Sequence, residues 1–392
     1  MPALGFLSVP SDFMEVTMNR YVKRYFIDAL GGMAQGLFAS LLIGTIVKTL
    51  GQQLLRLGEN SVFTFLVDAG NFATDAHVVG AAMAVGIGFA MNLPALVLFC
   101  MAAVGSAANV TGGAGGPLAV LIIAVISAEL GNLVSKKTKV DIIVTPLVTI
   151  LSGALLTVLT AKWIGLAASS LGNLVVWATN LHPFWMGIIV SVIIGIALTL
   201  PISSAAICAA FGLTGLAGGA AVAGCCANMI GFAVLSFREN KWGGLLSQGL
   251  GTSMLQMPNI VKNPLVWIPA IFASAVTGPL ATCVFKMQMN GAAVSSGMGT
   301  CGLVGQIGVI TGWFSPSQQA VENARHIAEK AGALTEELEQ ITAETIAVAP
   351  GVWEWTGLLM ICFILPAVLA FASGALLRRI DWIKEGDLTL PE

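Results

Sequence analysis

The chain has 392 residues, of which 56% are hydrophobic and 10% charged, with a formal net charge of −2. A soluble domain carries about 25% charged residues, so this chain is too poor in charge to clothe a water-facing surface and must be solvated by lipid. The same balance excludes a nucleic-acid partner, which requires a basic face.

The apolar runs are long and continuous. A membrane β-barrel would instead show segments of about ten residues with alternating polarity, so the expected fold is an all-α polytopic membrane protein. The 45 glycines suit helices whose backbones approach closely in lipid. The segment 1–26 holds Arg20, Lys23 and Arg24 and shows no small-residue cleavage pattern, so the first run, 27–50, reads as an uncleaved span. Residues 51–76 contain Arg56, Glu59, Asp68, Asn71 and Asp75. Three apolar runs follow at 77–92, 93–110 and 117–134; the first two join at Asn92-Leu93-Pro94, either a tight hairpin or a kink in one helix. Lys136, Lys137 and Lys139 separate them from a run at 140–165.

The pattern then repeats. Residues 80–94 (GAAMAVGIGFAMNLP) align with 187–201 (GIIVSVIIGIALTLP), matching Gly80 with Gly187, Gly88 with Gly195, Pro94 with Pro201 and, beyond the segment, Gly105 with Gly212. Residues 139–155 resemble 262–280, with Lys139 opposite Lys262 and Pro146 opposite Pro269. Two related bundles are therefore expected, 27–180 and 181–314, with a solute site at their interface. Basic residues of short loops mark the cytoplasmic side. Arg20, Lys23 and Arg24, then Lys136–Lys139, Arg238 and Lys241, and finally Arg378, Arg379 and Lys384 after the last run at 353–377 all satisfy this rule with about ten spans and both termini inside. That count requires 291–313, rich in Gly and Ser, to be re-entrant or membrane-apposed, with 243–260 as the alternative segment that dips or crosses. Residues 315–352 are an acidic stretch suited to one or two amphipathic surface helices, and 353–392 comprise the last span and a cytoplasmic tail.

Polar residues inside membrane runs are costly and are the default site candidates. Glu129 lies near the inner end of its run, where it handles substrate or protons or snorkels to the interface. Asp75 and His77 either bind hydroxyls or begin a helix with Asp75 as its N-cap. Asn109 leads into Thr111 and a run of glycines, which is either a solute path or a turn. In the second half stand Asn228, then Gln248, Thr252, Gln256 and Asn259, then Asn290, Ser295, Ser296, Thr300 and Gln306. These uncharged groups suit hydrogen bonds to a neutral polyol, and the segments carrying them are expected to dip towards each other near the membrane midplane. The seven cysteines show no metal spacing and read as buried small hydrophobes. Neither a catalytic Ser/His/Asp set nor a zinc, nucleotide or other cofactor motif is visible.

The stretches VDAGNFATDAHVVGAAMAVGIG (67–88), KKTKVDIIVTPLVTILSG (136–153) and GGLLSQGLGTSMLQMPNIVKNPLVW (243–267) resemble membrane IIC components of the bacterial phosphotransferase system, in particular the perfringolysin O regulator-like (PfoR-like) group. The resemblance covers about 25–380. It implies a homodimeric permease of the bacterial cytoplasmic (inner) membrane that moves a sugar while separate IIA and IIB proteins supply the phosphoryl group. It also implies a Glu and a His near the sugar, to be sought among Glu129, Asp75 and His77. The Gly-Ile-Thr-Glu motif of glucose-type IIC proteins is absent. An ion-coupled secondary transporter and a non-transporting membrane sensor are the competing readings.

Overall fold

A computed structural model describes residues 21, 23–56, 58–330 and 335–390. Lipid cannot satisfy backbone N–H and C=O groups, so an apolar chain must close its hydrogen bonds within helices. Among the described residues there is no strand; one isolated bridge pairs Gly215 with Met289.

The first bundle contains α1 (Lys23–Leu55), α2 (Ser61–Ala73), α3 (Ala76–Ala90), α4 (Ala95–Gly112), α5 (Gly116–Val134) and α6 (Asp141–Thr179). The second contains α7 (Pro183–Thr199), the short α8 (Ser204–Ala210), α9 (Gly215–Leu235), α10 (Ile268–Pro279) and α11 (Val304–Phe314). An amphipathic helix, α12 (Gln318–Lys330), precedes the last long one, α13 (Val352–Arg379). Six of the described helical stretches are long and apolar enough to cross a membrane, or seven if α2 and α3, bent by 56°, form one span.

Glycines set the packing of the first bundle. A Cβ on Gly32 would collide with the Gly86 carbonyl, and one on Gly36 with that of Ala82, so α1 and α3 lie backbone to backbone. Further along, Gly44 meets Ala73 and Gly51 meets Leu66, which lays α2 along the rest of α1. At Asn92 the backbone turns left-handed (φ 54°) and the chain reverses, so Gly88 packs on Leu98 and Gly80 on Gly105. The Asn92-Leu93-Pro94 join is thus a tight hairpin. A second hairpin lies at Gly113 (φ 52°): Gly116 abuts Asn109 and Gly131 abuts Val97, so the helical stretch Ala95–Val134 is folded back on itself.

Helix α6 differs from the expected run of 140–165. It continues for 39 residues, about 58 Å. Neither of its later glycines interrupts it, because both are held by packing: Gly165 is seated against Gly112 and Gly172 against the Phe211 ring. Residues 51–76, which carry Arg56, Glu59, Asp68, Asn71 and Asp75, are likewise mostly helix, with Asn60 capping α2 through Val62 N–H at 2.8 Å.

The repeat is visible in the helix directions. Helices α3 and α5 run the same way, as do α7 and α9, where Gly195 meets Gly224 and Thr199 meets Asn228. In each half the next long helix runs back, with Thr149 of α6 on Gly131 and Ser274 of α10 on Asn228. The halves differ at one place. The helix α4 has only the seven-residue α8 as its counterpart, which ends before Gly212 (φ 60°). The vacated space holds residues 293–297, and Ser204 Oγ donates to Gly297 O at 2.7 Å.

Candidate functional site

Two irregular hairpins enter the second bundle from opposite ends. The first begins after α9. Gln248 Nε2 donates to Ser236 Oγ at 2.8 Å at the end of that helix, and by Ser253 the chain has reached Thr199, whose Oγ1 lies 2.8 Å from Ser253 Oγ. Asn228, the neighbour of Thr199, stands about 12 Å back along α9 from Ser236. The chain then returns, and Gln256 Nε2 donates to Gln248 Oε1 at 2.9 Å.

The second hairpin begins at the other end, where Met289 pairs with Gly215 at the start of α9. It descends through Ser295 and Ser296 until Thr300 Oγ1 lies 3.5 Å from Met229 Sδ, about 20 Å further along α9. It turns at Gly299 and Gly302 (φ 53° and 52°) and at Leu303, which holds a left-handed φ of 58° without being glycine. Helix α11 carries it back until Gly312 abuts Asn290 and Gly291. Residues 291–313 therefore return to the end they left, and 243–260 dips as well. The two tips meet, with Cys301–Leu303 packed on Ser247–Gly251. The first bundle closes the junction: Ile46 of α1 touches Gly302, and a Cβ on Gly251 would come within 2.6 Å of the Phe38 ring.

At the junction lies a buried polar network. Asn228 Nδ2 donates to Ser274 Oγ and Gly224 O, both at 3.1 Å, while its Oδ1 accepts from Trp267 Nε1 at 3.0 Å and Thr199 Oγ1 at 3.2 Å. Every bond capacity of the amide is used. Around the second hairpin, Ser296 Oγ donates to Leu213 O at 2.6 Å, and Gln306, oriented to satisfy its amide, donates to Gly299 O at 3.1 Å and Leu303 O at 3.3 Å. Thr252 caps its own short turn through Met254 N–H at 3.1 Å. Gln248, Ser253, Gln256, Ser296 and Thr300 are buried, so the structure shows the junction closed.

The remaining amides of the first hairpin hold the C-terminal segment. Gln256 and Asn259 donate to the carbonyls of Leu388 and Thr389 at 3.0 and 2.8 Å. Asn240 donates to Leu388 O at 2.8 Å and accepts from Leu390 N–H at 2.9 Å, and Asn263 binds Trp382 O and Asp387. Leu388 is fully buried in the core shared by both bundles. The tail thus straps the returning arm of the hairpin.

The charged candidates stand apart. Asp75 caps α3 by accepting from His77 N–H at 2.8 Å; His77 Nδ1 lies 2.8 Å from Ser106 Oγ, and Asn109 donates to Ala76 O at 2.8 Å. Glu129 forms an ion pair with Arg24 at 2.9 Å near the opposite end of α5, about 20 Å along the bundle, so the structure does not bring it to His77. Sequence reasoning missed Thr199, Ser253, Ser274 and Trp267, which complete the Asn228 network. In the sequence Arg378 reads as a topology signal only, whereas in the structure it pairs with buried Glu239 at 2.7 Å.

A family model described as phosphotransferase system, EIIC, matches residues 27–328. No curated protein and no solved structure matches the chain.

Proposed function

The chain belongs to the phosphotransferase-system EIIC family, and from that membership we propose that it carries a sugar or related small polar solute across the cytoplasmic membrane of a bacterium by alternating access. The observation that carries this reading is the meeting of two opposed hairpins at the Asn228 network. Each hairpin closes the junction from one end, so withdrawing one while the other stays opens the junction to one side alone.

Solute hydroxyls would take over the bonds that Asn228, Thr199 and Ser253 now make with one another, with Ser295, Ser296, Thr300 and Gln306 on the other hairpin and Gln248 and Thr252 on the first, while Gln256 and Asn259 keep the tail in place. Exchanging one set of hydrogen bonds for another costs little, whereas leaving buried groups unpaired is expensive. Glu129, Asp75, His77 and Asn109 lie outside this junction and serve the ends of the first bundle in this scheme. The EIIC family works with sugar and with IIA and IIB phosphotransfer proteins, and we place those partners at the end that carries Lys136–Lys139, Arg378 and Arg379, which the positive-inside rule assigns to the cytoplasm with both termini. The exposed apolar side of α6, including Ile142, Leu147, Leu151 and Val158, is available to lipid or to a second copy in a homodimer.

The test is uptake of labelled sugars by vesicles containing Thr199→Val or Asn228→Ala. Threonine and valine have the same shape, so the first variant removes one hydroxyl with little change in packing. Each variant is expected to lose about tenfold in uptake, the equivalent of about 1.4 kcal/mol. Unchanged uptake in both would reject this location for the site.

A further inference from the structure

A cavity of about 250 Å³ lies at the mouth of the second hairpin, at the end of the molecule opposite the basic residues. Its lining includes Phe285, Lys286, Gln288, Trp313, Trp353 and Glu354. Three chain segments converge there. Residues 284–288 lead directly into Met289 and the descending arm of the hairpin, Trp313 stands near the end of the ascending arm, and residues 348–357 enter α13. Val348 N–H donates to Trp313 O at 3.0 Å, which ties the third segment to the second.

The lining combines aromatic faces with uncommitted polar atoms. Phe285 and Trp353 have centroids 5.0 Å apart at 30°, and Trp313 is held by Trp355 in an edge contact at 4.9 Å. Glu354 spends Oε2 on Gly351 N–H at 2.8 Å, and Gln288 spends Oε1 on Asn290 at 3.1 Å. The other carboxylate oxygen of Glu354, the Gln288 Nε2 and the Lys286 ammonium make no hydrogen bond or ion pair among the described residues. Lys286 is held at φ 47°, a backbone conformation unusual for a non-glycine residue and one that recurs at binding sites.

We propose that this cavity is an outer carbohydrate-binding subsite, which captures the solute before it reaches the hairpin junction; this rests on the sugar-permease reading above. A sugar ring has an apolar C–H face and a rim of hydroxyls that both donate and accept. The Trp353 ring takes the face, Lys286 and Gln288 donate to the hydroxyl oxygens, and Glu354 accepts from a hydroxyl. One cation and one anion cancel, which favours a neutral ligand over an anion. The volume is below the roughly 300–1,000 Å³ of pockets for drug-sized ligands, and so suits a single ring. Lys286 is exposed and Gln288 and Glu354 are half-buried, so all three polar groups remain accessible to a ligand that enters from the surface.

The experiment measures initial uptake against concentration in right-side-out vesicles for a panel of aldohexoses, hexitols and disaccharides, with the phosphotransfer proteins supplied inside. Trp353→Ala is expected to raise the half-saturating concentration about tenfold with the maximal rate unchanged, the signature of lost binding without lost turnover. Trp353→Phe, which keeps a ring, is expected to restore most of the affinity. Gln288→Ala provides the same test at a position whose loss creates no cavity in the core, should Trp353→Ala fail to fold. If wild-type protein takes up a sugar and the half-saturating concentrations of the folded variants stay within about twofold of it, the subsite is rejected while the permease reading stands. If wild-type protein takes up none of the panel, both are rejected.

Discussion

Replacing Arg378 by alanine is expected to destabilise the second bundle by about 3–5 kcal/mol, the usual cost of stranding one partner of a buried ion pair. The guanidinium sits 2.7 Å from Glu239 Oε1 and 3.2 Å from Leu235 O, with side-chain exposures of 16% for Arg378 and 5% for Glu239. Glu239 Oε2 is already buried without a hydrogen-bond partner, so the carboxylate has no second support to fall back on. The pair joins the segment just after α9 to the end of α13, and these two helices run side by side from Gly231 on Ala370 to Leu235 on Gly374. Denaturant unfolding of the purified protein in detergent measures the loss. The double variant Arg378→Met with Glu239→Leu is expected to recover most of it, because an apolar pair of similar size needs no solvation. A loss below about 1 kcal/mol for Arg378→Ala, the worth of an exposed pair, would show that the charges are not buried together.

Gly224→Val is expected to be more damaging still. A Cβ at this position would collide with the carbonyl group of Ser191, which means that α7 and α9 touch backbone to backbone there. Small residues at such crossings are what hold helices together in lipid, where burial of apolar surface gives no advantage. Overpacking a core typically costs about 1–3 kcal/mol and occasionally more; here the obstacle is main chain on both sides, which cannot swing away. Prising the helices apart would also break the Thr199–Asn228 bond, which crosses from α7 to α9. The expected result is loss of monodisperse protein on size-exclusion chromatography. Gly243→Ala is the control: its added methyl group would meet nothing within 4 Å, so folding is expected to be unaffected. Normal yield from Gly224→Val would contradict the close approach of the two helices.

Much of this architecture is legible in the amino-acid order because lipid makes each rule strict. Unbroken apolar runs have to be helices, and the constant spacing of Gly80/Gly187, Gly88/Gly195 and Pro94/Pro201 marks two related halves. Segments too rich in Gly and Ser to cross as helices have to sit inside protein, and both 243–260 and 291–313 do. What stays hidden depends on distance in the chain. Nothing near Asn228 announces that Thr199, Ser253, Ser274 and Trp267 converge on it, since each comes from a different segment. The amides Gln256 and Asn259 look like solute ligands in isolation, yet their carbonyl partners are Leu388 and Thr389, about 130 residues away. The end of α6 is hidden for a different reason: hydropathy falls after Gly165, although helical geometry continues to Thr179.

Phosphotransfer-coupled uptake is tested with vesicles of purified protein under two energy sources, with the sugar panel labelled. Phosphorylated sugar is expected to accumulate only when phosphoenolpyruvate and the IIA and IIB proteins are present on the side of the basic loops, with no response to a proton or sodium gradient. Accumulation of unmodified solute driven by an ion gradient, without phosphoenolpyruvate, would contradict phosphotransfer coupling.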